Sequence, residues 1–278
     1  MKNPTISVCI PAYNQTKYLR KTICSIITQK DVSFEILVSD DSNTDDVLNL
    51  IEEFKKDNIE INYSRNQPSL GSPSNWNNVI KQAKGEFIKI MHHDEWFIDD
   101  FALYKFIMAI TDPCDLVVSS ARLIKDGSNT LFKASEKEIY KIQKEPQRLL
   151  MGNVLASPSA VFFHRKYIQF FDTKLVWLVD IEFYIRFLVE NKKLVYISEP
   201  LFCSVMDDHN ITNKCLYDTD LQLKEYSYLF RLYIRKMFVI KQFKYFFSIY
   251  RIISLTQSKK RYILFLRLIK KCFFTINH

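Results

Sequence analysis

Four short apolar runs, each closed by a polar cluster and separated by helix-period segments, occupy roughly the first hundred residues. This alternation constrains the fold more than any other feature. Residues 6–10 form an apolar run closed by Pro11, as expected of a buried strand ending in a turn. In residues 15–29, Tyr18, Leu19, Ile23, Ile26 and Ile27 recur at helix spacing. Residues 34–38 read as a second strand running into the polar stretch 39–46, and 47–54 as a helix capped by Thr44 or Asp45. Residues 59–63 give a third strand, 75–83 a helix, and 87–91 a fourth strand leading into His92–Trp96. The order β-α-β-α-β-α-β predicts an α/β fold with a mostly parallel central sheet and helices on both faces. Further strands are expected at 116–124, 159–163 and 194–197, with a strand-like stretch at 201–206 and a helix at 180–190. The polar stretch 125–147 is expected to be a mobile connection able to close over a site.

Composition removes several functions. The chain has only four glycines, Gly71, Gly85, Gly127 and Gly152, and no glycine cradle for a dinucleotide or a P-loop can be assembled from them. The net charge of +8 is unevenly spread. Residues 221–278 hold 13 Lys/Arg against the single acid Glu225, whereas the first 220 residues hold 26 bases and 30 acids. A mildly acidic body with a basic, aromatic tail is unlike a uniformly basic nucleic-acid binder, so no nucleic-acid partner is expected. The six cysteines are dispersed without C-x-x-C or ligand spacing, which argues against a zinc site or a disulfide framework. No run suits a signal peptide or a transmembrane helix, and the expected compartment is the reducing cytosol.

In an open parallel sheet, ligands sit at the carboxyl ends of the strands. The residues there are Tyr13 and Asn14, Asp40 and Asp41, Arg65 and Asn66, and His92 to Glu95. They suggest a site for a hydroxyl-rich molecule and a cation. The run Asp40–Asp46 also suits a helix N-terminus, and His92-His93-Asp94-Glu95 offers oxygen and imidazole ligands for Mg2+ or Mn2+. Asp180 opens a helix in which Glu182 and Arg186 stand four residues apart. It is either an N-terminal carboxylate or a general base on a rigid helix end. Asp207-Asp208-His209 follows the strand-like stretch 201–206, where the histidine is a structural hydrogen-bonding group or a ligand.

In register, these segments resemble the inverting GT-A nucleotide-sugar glycosyltransferases of family 2, over roughly residues 4–213. Ser7 to Asn14 is similar to that family's opening strand ending in P-x-Y-N, and Val38 to Asp45 to its V-V-D-D-x-S-x-D element. Asn66, Gly71 and Asn75-Trp76-Asn77 resemble its N-x-G…N-x-N stretch. Lys84 to Ile88 followed by His92 to Glu95 resembles G-E-[YF]-I leading to the D-x-D motif.

The resemblance implies roles. Pro11, Tyr13, Asn14, Asp40, Asp41, Asn66, Asn75, His92 and His93 would bind the nucleotide donor, Asp41 by accepting from a base N–H. Asp94 and His209 would hold Mn2+ or Mg2+, and Asp180 would be the catalytic base. His92 replaces the first Asp of D-x-D, Glu95 stands where a further Asp is usual, and Val179 replaces a Glu that often precedes the base. The implied reaction is inverting transfer from a nucleotide sugar, UDP favoured, to a glycan or lipid-linked oligosaccharide acceptor such as an O-antigen or capsule precursor. The rival reading is a non-catalytic scaffold of the same fold. Residues 1–215 would form the transferase domain and 216–278 a helical region, packed on the body or lying on the anionic inner face of the plasma membrane.

Overall fold

The computed structural model describes residues 4–113, 115–191, 193–206, 215–255 and 261–274. The elements of the first half are β1 (Ile6–Ala12), α1 (Thr16–Ile27), β2 (Phe34–Asp40), α2 (Asp46–Lys56), β3 (Asn62–Arg65), α3 (Ser74–Lys81), β4 (Phe87–Ile90), β5 (Glu95–Phe97) and α4 (Ala102–Met108). Then come β6 (Asp115–Lys125), β7 (Ser128–Phe132), α5 (Glu136–Lys144), β8 (Val161–His164), α6 (Val179–Asn191) and β9 (Lys193–Val205). The last helices are α7 (Thr219–Leu229), α8 (Val239–Leu255) and α9 (Arg261–Ile269).

All these strands join one sheet in the order β3-β2-β1-β4-β8-β6-β9-β5, with β7 paired to β6. β1, β2, β3 and β4 are mutually parallel, as the alternation predicts. Antiparallel β8 then joins them to a second half in which β6 and β9 are parallel and β5 and β7 run opposite to their neighbours. α1 shows why the helices form: Leu19, Ile23 and Ile26 are completely buried on one face, each contributing about 1.5–3 kcal/mol. At Gly85, just before β4, an added Cβ would lie 2.5 Å from the Ser7 backbone nitrogen, so only glycine permits β4 to start this close to β1.

Several expectations are corrected. β1 continues through Pro11 to Ala12. The Met91 N–H donates to the Cys9 carbonyl, so Pro11 faces the same side two residues on, where β4 has ended and no ladder N–H is required. The third strand begins at Asn62, because the Ile59 N–H turns back to the Phe54 carbonyl and Ile61 is buried in the core. No side chain caps α2: Asp45 is held by Arg65, and the Thr44 hydroxyl donates to Asp46. The stretch 125–147 forms β7 and α5. Ser135 and Glu138 close a capping box at the head of α5. Residues 194–197 and 201–205 belong to one strand, β9, whose register shifts between them.

The C-terminal region is helical, as expected, and shares the core of the body. Phe230 packs edge-on to Phe246 and Phe273, while Tyr245, Phe246, Ile249 and Ile253 face inward. Its tyrosines reach into the body: Tyr228 donates to Asp172, Tyr233 to Glu182 and Tyr245 to Glu145, each at 2.7 Å. Among the described residues, no helix is long and apolar enough to cross a membrane.

Candidate active site

The carboxyl ends of β1, β2 and β3 meet through side-chain amides. Asn66 donates to Asn75 Oδ1 (2.9 Å) and Asp41 Oδ1 (3.0 Å) and accepts from Asn78 (2.8 Å). Asn75 donates to the Ala12 carbonyl. Asp40 is fully buried, accepting from the Ser42 N–H and the Tyr63 hydroxyl, so it shapes the turn from inside. Asp41 accepts from Asn66 and the Leu70 N–H on one oxygen, and from the Ser69 hydroxyl and the Gly71 N–H on the other. About four acceptor positions exist on a carboxylate, and the chain's own donors fill them. Burial opposes ionisation of Asp41, but these donors outweigh it and hold the carboxyl below the usual range. Asp41 therefore clamps the 69–71 loop to the end of β2. Tyr13 beside it is half exposed, and Asn14 takes a left-handed conformation (φ 58°) in which its N–H donates to Ser42.

The loop after β4 sits on this platform. His93 Nδ1 lies 3.2 Å from the Pro11 carbonyl oxygen, and the His92 ring packs 4.7 Å from that of Trp76. The His92 N–H donates to Ser159, while its buried Nε2 has no hydrogen-bond partner among the described residues. Burial pushes the His92 pKa down, so the ring is neutral. Burial and the neighbouring Glu95 push the Asp94 carboxyl up. Glu95 is inside, accepting from the Ser157 hydroxyl at 2.8 Å. Beneath the loop, Lys89 is fully buried over the rings of Phe106, Phe97 and Phe202 and donates to the Ser159 carbonyl. Burial lowers its pKa to about 7.

Asp180 stands in the first turn of α6. Oδ1 accepts from the Ile181 N–H and Oδ2 from Asn153 Nδ2 at 2.7 Å. Burial raises its pKa to about 6, against these hydrogen bonds. The segment 153–159 brings Asp180 to the His92–Glu95 loop: Asn153 holds Asp180, Ser157 holds Glu95, and the Ala156 carbonyl accepts from Tyr184. From the other side, the buried Glu225 of α7 accepts from the Val176, Trp177 and Leu178 N–H groups, just before α6. The predicted Glu182–Arg186 pair is bidentate and is completed by Tyr233.

The structure thus brings Pro11, Tyr13, Asn14, Asp40, Asp41, Asn66, Asn75, His92, His93, Asp94 and Asp180 into one connected region. His209, with Asp207 and Asp208, lies outside the described residues. Among the described residues, no three His, Cys, Asp or Glu side chains converge to hold a metal. Asp94, whose carboxyl burial pushes up, and His92, whose buried Nε2 lacks a partner among the described residues, share one loop and offer the donor chemistry that a cation and diphosphate oxygens would complete. Sequence reasoning missed Asn153, Ser157, Ser159, Lys89 and Glu225, which hold the site from behind and carry no motif.

A parallel half-sheet with polar strand ends, facing an acidic helix head from an antiparallel-joined half, defines the GT-A class of fold. The Staphylococcus aureus glycosyltransferase TarS, solved as residues 1–349 with UDP-GlcNAc, superposes with a TM-score of 0.69 at 15% identity, over 96% of this chain and 81% of that one. A mannosyltransferase from Pyrobaculum calidifontis, solved with GDP-Man and Mn2+, gives 0.58 at 14% identity, over 98% and 74%. Residues 7–171 match Glycosyl transferase family 2, and the chain belongs to that family. A Campylobacter jejuni GalNAc(5)-diNAcBac-PP-undecaprenol beta-1,3-glucosyltransferase is 38% identical over 93 residues, 33% of this chain and 30% of that enzyme. An uncharacterised Mycobacterium tuberculosis relative is 28% identical over 68% of this chain and 63% of its own length.

Proposed function

We propose that the protein is an inverting glycosyltransferase that moves a sugar from a nucleotide-sugar donor, UDP-linked in the first instance, to a hydroxyl of a lipid-linked or growing surface polysaccharide. The observation that carries this reading is Asp180. Its carboxylate is fixed at the head of a rigid helix, tied by Asn153 and Ser157 to the loop bearing Asp94, with a pKa raised by burial to about 6. A group with that pKa is ionised at neutral pH yet basic enough to take a proton from a hydroxyl. The lipid-linked acceptor in the Campylobacter enzyme's name and the UDP-GlcNAc bound to TarS support the choice of substrates.

In this reading Pro11, Tyr13, Asn14, Asn66 and Asn75 line the nucleotide side, with His92 and His93 toward the diphosphate. Asp41 forms the pocket by fixing the 69–71 loop, and a base N–H would reach its oxygens only by displacing one of the chain's own donors. Asp94 and His209 would hold a divalent cation, Mn2+ or Mg2+, which supplies positive charge for the departing diphosphate. Asp180 orients the acceptor hydroxyl and takes its proton as the oxygen bonds to the anomeric carbon. The bond to the nucleoside diphosphate breaks with its electron pair leaving on the diphosphate, and the configuration inverts. Residues 216–278 would bring the enzyme to the anionic inner face of the plasma membrane, where a lipid-borne acceptor lies.

A thermal-shift panel of nucleoside diphosphates and nucleotide sugars, with and without Mn2+, tests the donor. A ligand at about 100 times its dissociation constant adds about 2.7 kcal/mol. The reading requires a shift with one nucleotide class, and transfer that is lost in Asp180→Asn while that shift persists. No shift with any member of the panel would leave only the scaffold of the same fold.

A further inference from the structure

We propose that the turn entering α8, with the outer face of that helix, is a docking surface for an anionic phospholipid bilayer. The proposal deepens the membrane placement above by naming the surface that makes it. Phe238 and Ile240 are each 85% exposed, and Val239, Phe243 and Phe247 are each more than half exposed. Residues 239, 243 and 247 follow one another at i,i+4 on α8, in a stripe flanking the face that buries Tyr245, Phe246, Ile249 and Ile253. The stripe borders partly buried rings at the C-terminal end: Phe243 contacts Phe273, just beyond α9, and Phe247 contacts Phe265 of α9, both at 6.4 Å. Contiguous exposed apolar surface of this kind marks an interaction site.

Charge names the occupant. Arg235, Lys236 and Lys244 are exposed around these apolar residues, and none pairs with a carboxylate among the described residues. Nearby Lys241 is by contrast taken by Glu145 at 3.2 Å. A second copy docking through the same face would set these uncompensated cations against one another, whereas an anionic headgroup layer neutralises them while the apolar side chains enter the interface. The surface is also preformed: Gln242 Nε2 donates to the carbonyls of Arg235 (3.0 Å) and Met237 (2.8 Å), clamping the turn.

The test is flotation of the full chain with vesicles of phosphatidylglycerol and phosphatidylcholine in equal parts, against vesicles of phosphatidylcholine alone. The protein is expected to float with the anionic vesicles only. It should be released as salt rises to about 1 M, where the screening length falls to about 3 Å. Phe238→Ser with Ile240→Ser, and separately Arg235→Glu with Lys236→Glu, are each expected to lower the bound fraction at least about tenfold. Both pairs are exposed, so their melting temperature and nucleotide-induced shift should match the parent. Equal binding to both vesicle types, binding to neither, or full binding by either variant would overturn the proposal. So would a dimer in sedimentation velocity that the Phe238/Ile240 variant converts to monomer. Vesicle binding is read without donor or acceptor, so its failure is separate from failure of the transferase reading.

Discussion

Glu225 is the single acid in a tail with 13 bases, and its place in the structure gives it a job unrelated to that charge balance. It is 1% exposed and accepts from the N–H groups of Val176 (2.6 Å), Trp177 (3.1 Å) and Leu178 (2.8 Å), the residues that lead into α6 and Asp180. Glu225→Ala removes all three acceptors. Leu178 is buried, so its N–H bears the full desolvation penalty of about 1–3 kcal/mol. Val176 is exposed and Trp177 half-buried, so water recovers part of their bonds and they add about 1 kcal/mol together. The sum is about 2–4 kcal/mol. At about 2–4 °C per kcal/mol for a chain of this size, the melting temperature should fall by roughly 5–15 °C. Glu225→Gln, which keeps one oxygen, should fall between. The assay is urea and thermal unfolding followed by circular dichroism, at low and high salt. Were Glu225 a mere counter-charge for the tail, its loss would be screened by salt; a latch of buried hydrogen bonds keeps its value. A loss below about 0.5 kcal/mol, or one that vanishes at high salt, refutes the latch.

Other outcomes follow from the same geometry. Asp180 has a folded pKa of about 6 against an ordinary 3.8, so below the lower value both states are protonated, and stability from this group is lost as pH rises through the window between them. Asp180→Asn should therefore raise the melting temperature at neutral pH, by up to about 2–3 kcal/mol in stability, and leave it unchanged near pH 4. Asn153→Ala removes the side-chain bond that favours the ionised carboxylate, so the acidic limb of the pH–rate profile of transfer should move upward from about 6, with nucleotide-induced shifts intact. Gly85→Ala forces a Cβ to 2.5–2.7 Å from the Ile6–Ser7 backbone and should cost about 2–4 kcal/mol, read as a lowered urea midpoint. Because burial lowers the Lys89 pKa to about 7, the parent should gain stability from pH 7 to pH 10, and in Lys89→Met that rise should be absent.

The first half of the molecule was legible because its information is local. Apolar runs of strand length alternating with helix spacing need no distant partner to be recognised, and the polar residues closing β1, β2 and β4 stand at strand ends by the logic of a parallel sheet. Errors arose where tertiary pairing overrides local pattern. Ile59 and Ile61 look like a strand but serve the core under α2, so the hydrogen-bonded strand starts only at Asn62. The polar stretch 125–147 lacks a long apolar signal because β7 is an exposed edge strand and α5 buries only Ile142, yet Ser135 and Glu138 spelled out a capping box.

The region around Asp180 was illegible for a deeper reason. The residue itself stands out only by resemblance, since a carboxylate in a first helical turn is ordinary. What distinguishes it is assembled from Asn153, 27 residues upstream, and from Glu225, 45 residues downstream, neither of which belongs to a chemical motif. Glu225 also changes what the C-terminal region means. By composition the tail is a basic appendage separable from the body. In the fold its one acid grips the entrance of the helix that carries the candidate base, and Tyr233 completes the Glu182–Arg186 pair one turn further along. α8 packs against α7, whose Glu225 holds the residues that lead into the helix of Asp180. Truncation before α7 should remove the support of the candidate base as well as the basic surface.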